Sequence, residues 1–229
     1  MYIRIVGVGS AIQRIRTSAG KEGSMQLKEL SGQSGVSAAS IKYYLREGLL
    51  PAGGTVHATR AQYSARHVER LGLIQALRRI VGLNIEQIRG LLKMADDGAP
   101  RLALLAAVQR VVLHLESAAS GDVPTPVADA VVRLRNWPDY PSDARNALNV
   151  HLELMESLNI PVSGELLDTY SKAMDDVAGL DIAATTAPES VDQLILTAAV
   201  GMHMHSQLLL KLLALAQASH AIRRYEHGA

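Results

Sequence analysis

Cysteine is absent from the 229-residue chain, which excludes a disulfide framework, thiolate catalysis and thiolate metal binding. That composition fits a reducing cytoplasm. Phenylalanine is absent too, tryptophan occurs once, and aromatic residues make up 3% of the chain. The 48% hydrophobic content is carried by Leu, Ala and Val, so the core has to be aliphatic, which favours packed helices over a β-sandwich. No apolar run reaches the roughly eighteen residues of a membrane helix. In the most apolar stretch, residues 194–216, His203, His205, Ser206, Gln207 and Lys211 intervene. Near the start, Ile5, Val6 and Val8 are too few for a signal-peptide core and are broken by Gly7. Neither export nor a membrane partner is therefore expected.

A large net charge is also missing, the formal value being +1, but the charges are segregated. Residues 25–93 carry ten Lys/Arg against four Asp/Glu, and residues 1–24 four against one; residues 94–229 carry nine against seventeen. A basic N-terminal portion followed by an acidic one fits a nucleic-acid module joined to a domain that stays off the phosphate backbone.

Residues 36–50, Val-Ser-Ala-Ala-Ser-Ile-Lys-Tyr-Tyr-Leu-Arg-Glu-Gly-Leu-Leu, supply the pattern around which this portion is organised. Ser37 is a natural N-cap. At about 100° per residue, Ala38, Ile41 and Leu45 share one face, while Ala39, Tyr43 and Arg46 share the other with Lys42 at its border. Gly48 ends the helix, and Leu49 and Leu50 return to the core. Upstream, Leu27, Leu30 and Ser31 stand at helical spacing, and Gly35 provides a tight turn. Helix, glycine-bearing turn and capped helix with a cationic outer face is the sequence form of a helix-turn-helix; a plain helical hairpin with solvated charge is the alternative.

Residues 25–92 resemble the DNA-binding domain of the MerR family of bacterial transcriptional regulators. The resemblance rests on Lys42-Tyr43-Tyr44, Arg46, Gly48-Leu49-Leu50-Pro51, Arg60, Tyr63 and Gly82-Leu83. It implies a mainly α protein with a winged helix-turn-helix at residues 25–95 and a homodimer on double-stranded promoter DNA. It also implies a near-palindromic site that is distorted so that RNA polymerase can engage. The candidate DNA contacts are Ser37, Ala39, Ser40, Lys42, Tyr43, Tyr44, Arg46, Arg60 and Tyr63. The family's domain begins near an initiator methionine, so Met25 is a candidate start. Residues 1–24 then form a disordered extension in which Arg14, Arg16 and Lys21 are available to phosphates.

Thr55, Val56 and Thr59 beside Gly53-Gly54 predict a short two-stranded wing. The family's wing places its arginine two residues before its tyrosine. Here Arg60 and Tyr63 are three apart, which leaves open the register and whether Arg60 or His57 reaches the backbone. Ser64 caps a helix with Val68, Leu71, Ile74, Leu77 and Val81 inward, ended by Gly82. Asn84 and Gln87 form a capping box before Ile85, Ile88, Leu91 and Leu92. Arg66, Arg70, Arg78 and Arg79 are expected on the solvated side.

After a break at residues 96–100, a helix over residues 99–119 carries Leu105, Val108, Val112 and Leu115 at spacings of three and four. By the resemblance this is an antiparallel dimer seam; by its pattern it fits packing inside its own chain equally well. Residues 120–126 read as a linker. Residues 126–229 predict an all-α domain with helices near 127–136, 142–158, 163–177 and 188–225, similar to the C-terminal halves of actinobacterial members of the family. Trp137, Met155, Met174, Met202 and Met204 are candidates for a small apolar effector site, because methionine adapts to varied shapes; gap-filling explains them as well.

No cofactor, metal site or catalytic residue is expected. His203 and His205 are two apart and point to opposite sides of a helix. Glu153 and Glu156, or Asp175 and Asp176, sit as a solvated face does, without a nucleophile-base pair or phosphate loop. A helical protein-interaction adaptor and a helical-bundle enzyme are the competing classes, separated from the regulator by salt-sensitive DNA binding and by a pocket of convergent titratable groups, respectively.

Overall fold

Aliphatic periodicities of three and four become helices along most of the described residues. The computed structural model describes residues 24–57, 60–115, 124–183 and 190–226, so the expected extension lies outside the described residues apart from Ser24, as does most of the expected linker. The elements are α1 (Leu27–Ser34), α2 (Ala38–Arg46), β1 (Gly54–His57), β2 (Arg60–Gln62) and α3 (Ala65–Ala76). They continue with α4 (Ile85–Asp96), α5 (Arg101–Val112), α6 (Pro126–Arg135), α7 (Asp143–Ser157), α8 (Gly164–Ala183) and α9 (Val191–Glu226). Among the described residues, no helix is long and apolar enough to cross a membrane.

The chain divides into two units: Met1–Gly98 with Ser190–Leu196, and Ala99–Glu189 with Thr197–Ala229. The first turns of α9 therefore belong with the N-terminal unit. In that unit Leu30, Ile41, Leu49, Leu71, Leu73, Ile74, Leu77 and Ile88 are fully buried, forming the aliphatic core that a chain without phenylalanine has to build. α1 packs on α2 and on α3.

The helix capped by Ser64 departs from its expected course. Past Ala76 it continues as a π-helical turn, Leu77–Val81, before Gly82 ends it. A π turn holds one residue more than an α turn. Leu77 and Val81 both stay buried, and Arg78 and Arg79 are turned outward together. Asn84 and Gln87 form the expected capping box at α4, each backbone N–H donating to the other side chain at 2.9 Å.

In the second unit α6 packs on both α7 and α8, and α5 packs on α7. Asn149, buried in α7, accepts from the backbone N–H groups of Val127 and Ala128 at 3.1 and 3.3 Å, capping the start of α6 across the helix pair. Arg145 joins Asp129 at 2.7 Å and Asp139 at 2.5 Å.

Candidate nucleic-acid interface

The turn between α1 and α2 is held by serines. Ser31 Oγ donates to the Val36 carbonyl at 2.7 Å, and Ser34 Oγ to the Leu30 carbonyl at 2.6 Å. Gly35 follows Ser34 at φ 66°, the left-handed region that a side chain would strain, and its N–H donates to Ser31 O at 3.0 Å. Ser37 Oγ then accepts from the Ser40 N–H at 3.1 Å, starting α2 as its N-cap. Sequence and structure agree on the turn, with Glu47 as the C-cap and Gly48 following it.

The face of α2 is rotated slightly from expectation. Ile41 and Tyr44 are its buried residues, Leu45 is half-buried and Ala38 is exposed. Tyr44 displaces Ala38 from the inward face because its ring fills far more of the core and its hydroxyl has a partner, accepting from Arg78 Nη1 at 3.2 Å. What remains outward is Ser37, Ala39, Lys42 and Arg46, with Tyr43 half-buried beside them. The Arg46 guanidinium lies 5.3 Å from the centre of the Tyr43 ring, and its side chain is 72% exposed. Glu47 is shared: its Oε1 lies 3.8 Å from Arg46 Nε, while Arg89 Nη2 reaches its Oε2 at 2.7 Å and Arg89 Nε donates to its carbonyl at 3.2 Å. α2 is thus pinned at its C-terminal end to α4.

Next to the start of α2 lies a cleft of about 440 Å³, lined by Gly35, Val36, Ser37, Ser40, Tyr44, Gln75, Arg78 and Arg79. The π turn carries Arg78 and Arg79 to its rim. Two guanidinia, two serine hydroxyls and the positive end of a helix surround one opening, an arrangement suited to an anionic group.

The wing is antiparallel, with Gly54 opposite Gln62, Thr55 opposite Ala61 and His57 opposite Arg60, and a bulge between Thr55 and His57. That bulge answers the register question left by the three-residue spacing of Arg60 and Tyr63. At Gly53 a Cβ would stand 2.7 Å from the Gln62 carbonyl oxygen, so glycine lets the strands close. The side chains of residues 55–60, Arg60 and His57 among them, lie outside the described residues.

Residues 25–95 match the MerR helix-turn-helix family of regulatory proteins. Among solved structures, the chain is similar to the "putative transcriptional regulator" of Streptomyces coelicolor A3(2), at 31% identity and a TM-score of 0.61, over 88% of this chain and 98% of that one. No curated protein matches. The chain belongs to the MerR family.

A MerR-family chain is expected to use Tyr63 at its wing, but here Tyr63 is interior. It is 5% exposed, its backbone exchanges 2.8 Å hydrogen bonds with Met25, and its ring meets the edge of His67 at 5.2 Å. His67 accepts the Ser64 N–H on Nδ1 at 3.0 Å, and burial holds its pKa below the ordinary 6.5.

Arg70, expected at the solvated side, is 9% exposed. Its Nε donates to Asp192 Oδ2 at 2.7 Å, and Nη1 and Nη2 donate to the two Asp96 oxygens at 3.1 and 2.7 Å. Burial opposes the charge on Arg70, but these bonds outweigh it and raise its pKa. Burial also pushes the Asp192 carboxyl upward, against the pull of Arg70. Beside this cluster Ser190 Oγ donates to Glu69 Oε1 at 2.5 Å. The helical period of α3 marks Arg70 as next to Leu71 and Ile74, yet nothing in it signals carboxylates 26 and 122 residues away.

Of the expected dimer seam, Val108 and Val112 are buried within the chain at 0% and 5% exposure, and Leu105 and Leu115 are half-buried. None of the five effector candidates lines the cleft. Met174 and Met204 are exposed, Met155 and Met202 are half-buried, and Trp137 Nε1 donates to Asp175 at 2.6 Å. Among the described residues no cluster of three or more metal-ligating side chains occurs.

Proposed function

We propose that this protein is a cytoplasmic, sequence-specific DNA-binding transcriptional regulator that works as a homodimer on a near-palindromic promoter site. The carrying observation is the outward face of α2, where Ser37, Ala39, Lys42 and Arg46 are presented by a helix fixed at both ends. Such a helix fits the major groove, with Arg46 suited to a guanine edge and Lys42 to a phosphate. Arg78 and Arg79 flank it at the cleft, where they would grip backbone phosphate, and the wing would reach the same backbone through Arg60. Two reading heads on one face of the duplex call for a two-fold site. Distortion of that site would present the promoter to RNA polymerase. An effector site among the methionines forms no part of this reading, since none of them lines the cleft beside α2.

Selection of bound fragments from bacterial genomic DNA tests the proposal. The expected result is a recovered inverted repeat whose affinity falls steeply as salt rises. Recovery of no common sequence, with binding insensitive to salt, would favour the interaction-adaptor reading.

A further inference from the structure

Glu47, the C-cap of α2, is set between arginines of two different helices. Arg89 of α4 holds it twice, by the 2.7 Å contact of Nη2 with Oε2 and the 3.2 Å bond from Nε to its carbonyl. Arg46, the last residue of α2, lies 3.8 Å away from Nε to Oε1, beyond the roughly 3.2 Å span of an N–H···O hydrogen bond. Its guanidinium rests instead over Tyr43, whose ring meets Tyr44 edge-on at 5.7 Å. Lys93, four residues further along α4, is engaged by Asp97 at 2.6 Å, so Arg89 is the cation that α4 offers to Glu47.

This unequal sharing matters because a carboxylate and a guanine edge compete for the same group. Each is recognised by the guanidinium fork through two parallel N–H bonds. A Glu47 free to close on Arg46 would form that forked pair, and a base edge would have to break it. We infer that Arg89 is a positioning residue for base reading: by holding the Glu47 carboxylate on α4, it keeps the guanidinium of Arg46 open to a guanine edge. This rests on the reading of α2 given above and adds to it a residue outside the helix that reads. Tyr43 supplies the second support, a packed ring that limits the freedom Arg46 has left to lose on binding.

The size of the effect follows from exposure. An ion pair at the surface changes an equilibrium constant by at most about fivefold. Losing Arg89 should therefore cost about two- to fivefold in preference for the correct base. Losing Arg46 removes the contact itself, worth roughly 5- to 150-fold for a bidentate pair. Removing the Arg89 cation also weakens attraction to any duplex, but that part cancels when two duplexes are compared.

The test uses the full-length chain and two duplexes: the site recovered by selection, and a copy substituted at the guanine pair where Arg46→Ala loses its preference. The ratio of the two affinities, from fluorescence anisotropy at one salt concentration, is the readout. Arg89→Met should lower that ratio about two- to fivefold. Glu47→Gln, whose amide oxygen still accepts from Arg89, should leave it at or above the wild-type value. Arg89→Met/Glu47→Gln should match Glu47→Gln, because no carboxylate remains to close on Arg46. A bond that served only to pin α2 would leave the double variant as low as Arg89→Met. That result, an unchanged ratio in Arg89→Met, or a fall in Glu47→Gln would overturn this inference while leaving Arg46 as the base reader. Recovery of no site, or of one at which Arg46→Ala changes no preference, would overturn the reading of α2 and this inference with it. The side chains of Glu47 and Arg89 are 28% and 40% exposed, so the variants should keep the circular dichroism of the wild type. Should Arg89→Met melt below the assay temperature, Arg89→Gln replaces it with the same expectations.

Discussion

Arg70→Met keeps the aliphatic stem of the side chain and removes the guanidinium that joins Asp96 and Asp192. The two carboxylates then fare differently. The Asp96 side chain is 53% exposed and can take up water; that of Asp192 is 12% exposed and is left as a buried charge without its 2.7 Å partner. Breaking a buried pair in this way costs about 3–5 kcal/mol. For a domain of this size each kcal/mol is about 4–8 °C, so the first unit should melt at least about 12 °C lower at neutral pH when followed by circular dichroism. Burial already raises the Asp192 pKa, and losing Arg70 raises it further. A carboxyl raised in the folded state favours folding below its unfolded value near 3.8, and that contribution is lost as pH rises through the folded value. The gap between variant and wild type should therefore be small near pH 4 and widen toward neutrality. Arg70→Met/Asp192→Leu should recover most of the loss at pH 7. A gap below about 1 kcal/mol, or one that does not change with pH, would refute the claim that this pair is buried and coupled.

Ser37→Ala removes the oxygen that accepts the Ser40 N–H and should lower the stability of the first unit by about 1 kcal/mol, read from urea unfolding. Gly53→Ala places a Cβ 2.7 Å from the Gln62 carbonyl oxygen, so the wing should lose its amide hydrogen-exchange protection while the helices keep theirs. His67 is held neutral by burial, so between 6.5 and its lower folded value the unfolded chain binds the proton more readily. Stability should fall as pH drops through that window, and His67→Gln should flatten this part of the pH profile of the melting temperature.

Local rules carried much of the fold into the sequence. Ser37, Gly35 and the Asn84–Gln87 box act within four residues of themselves, so the helix-turn-helix and the start of α4 were legible without tertiary information. The wing was legible in the glycine pair and the β-branched residues that follow it, and it closes as β1 and β2. Three features were not legible. The π turn at Leu77–Val81 keeps Leu77 and Val81 inward just as an α-helix pattern would, so the extra residue left no mark on the period. Tyr44 took the inward place assigned to Ala38 because burying a ring whose hydroxyl accepts from Arg78 outweighs a wheel drawn on aliphatics alone. Arg70 read as a surface cation because its compensation comes from Asp192, supplied by the first turn of the last helix. Conversely, the leucines of α9 lie in the most apolar stretch of the sequence, yet Leu208, Leu210, Leu212, Leu213 and Leu215 are exposed.

The central claim, that the outer face of α2 reads base edges, is tested most directly by fluorescence anisotropy with the recovered site and with a copy carrying one substituted guanine pair. Arg46→Ala should weaken binding to the recovered site by about 1–3 kcal/mol and bind both duplexes nearly alike, whereas Lys42→Ala should weaken both equally and lower the salt slope by about 1. Arg46→Ala binding the recovered site as tightly as the wild type, with its sequence preference intact, would contradict the account.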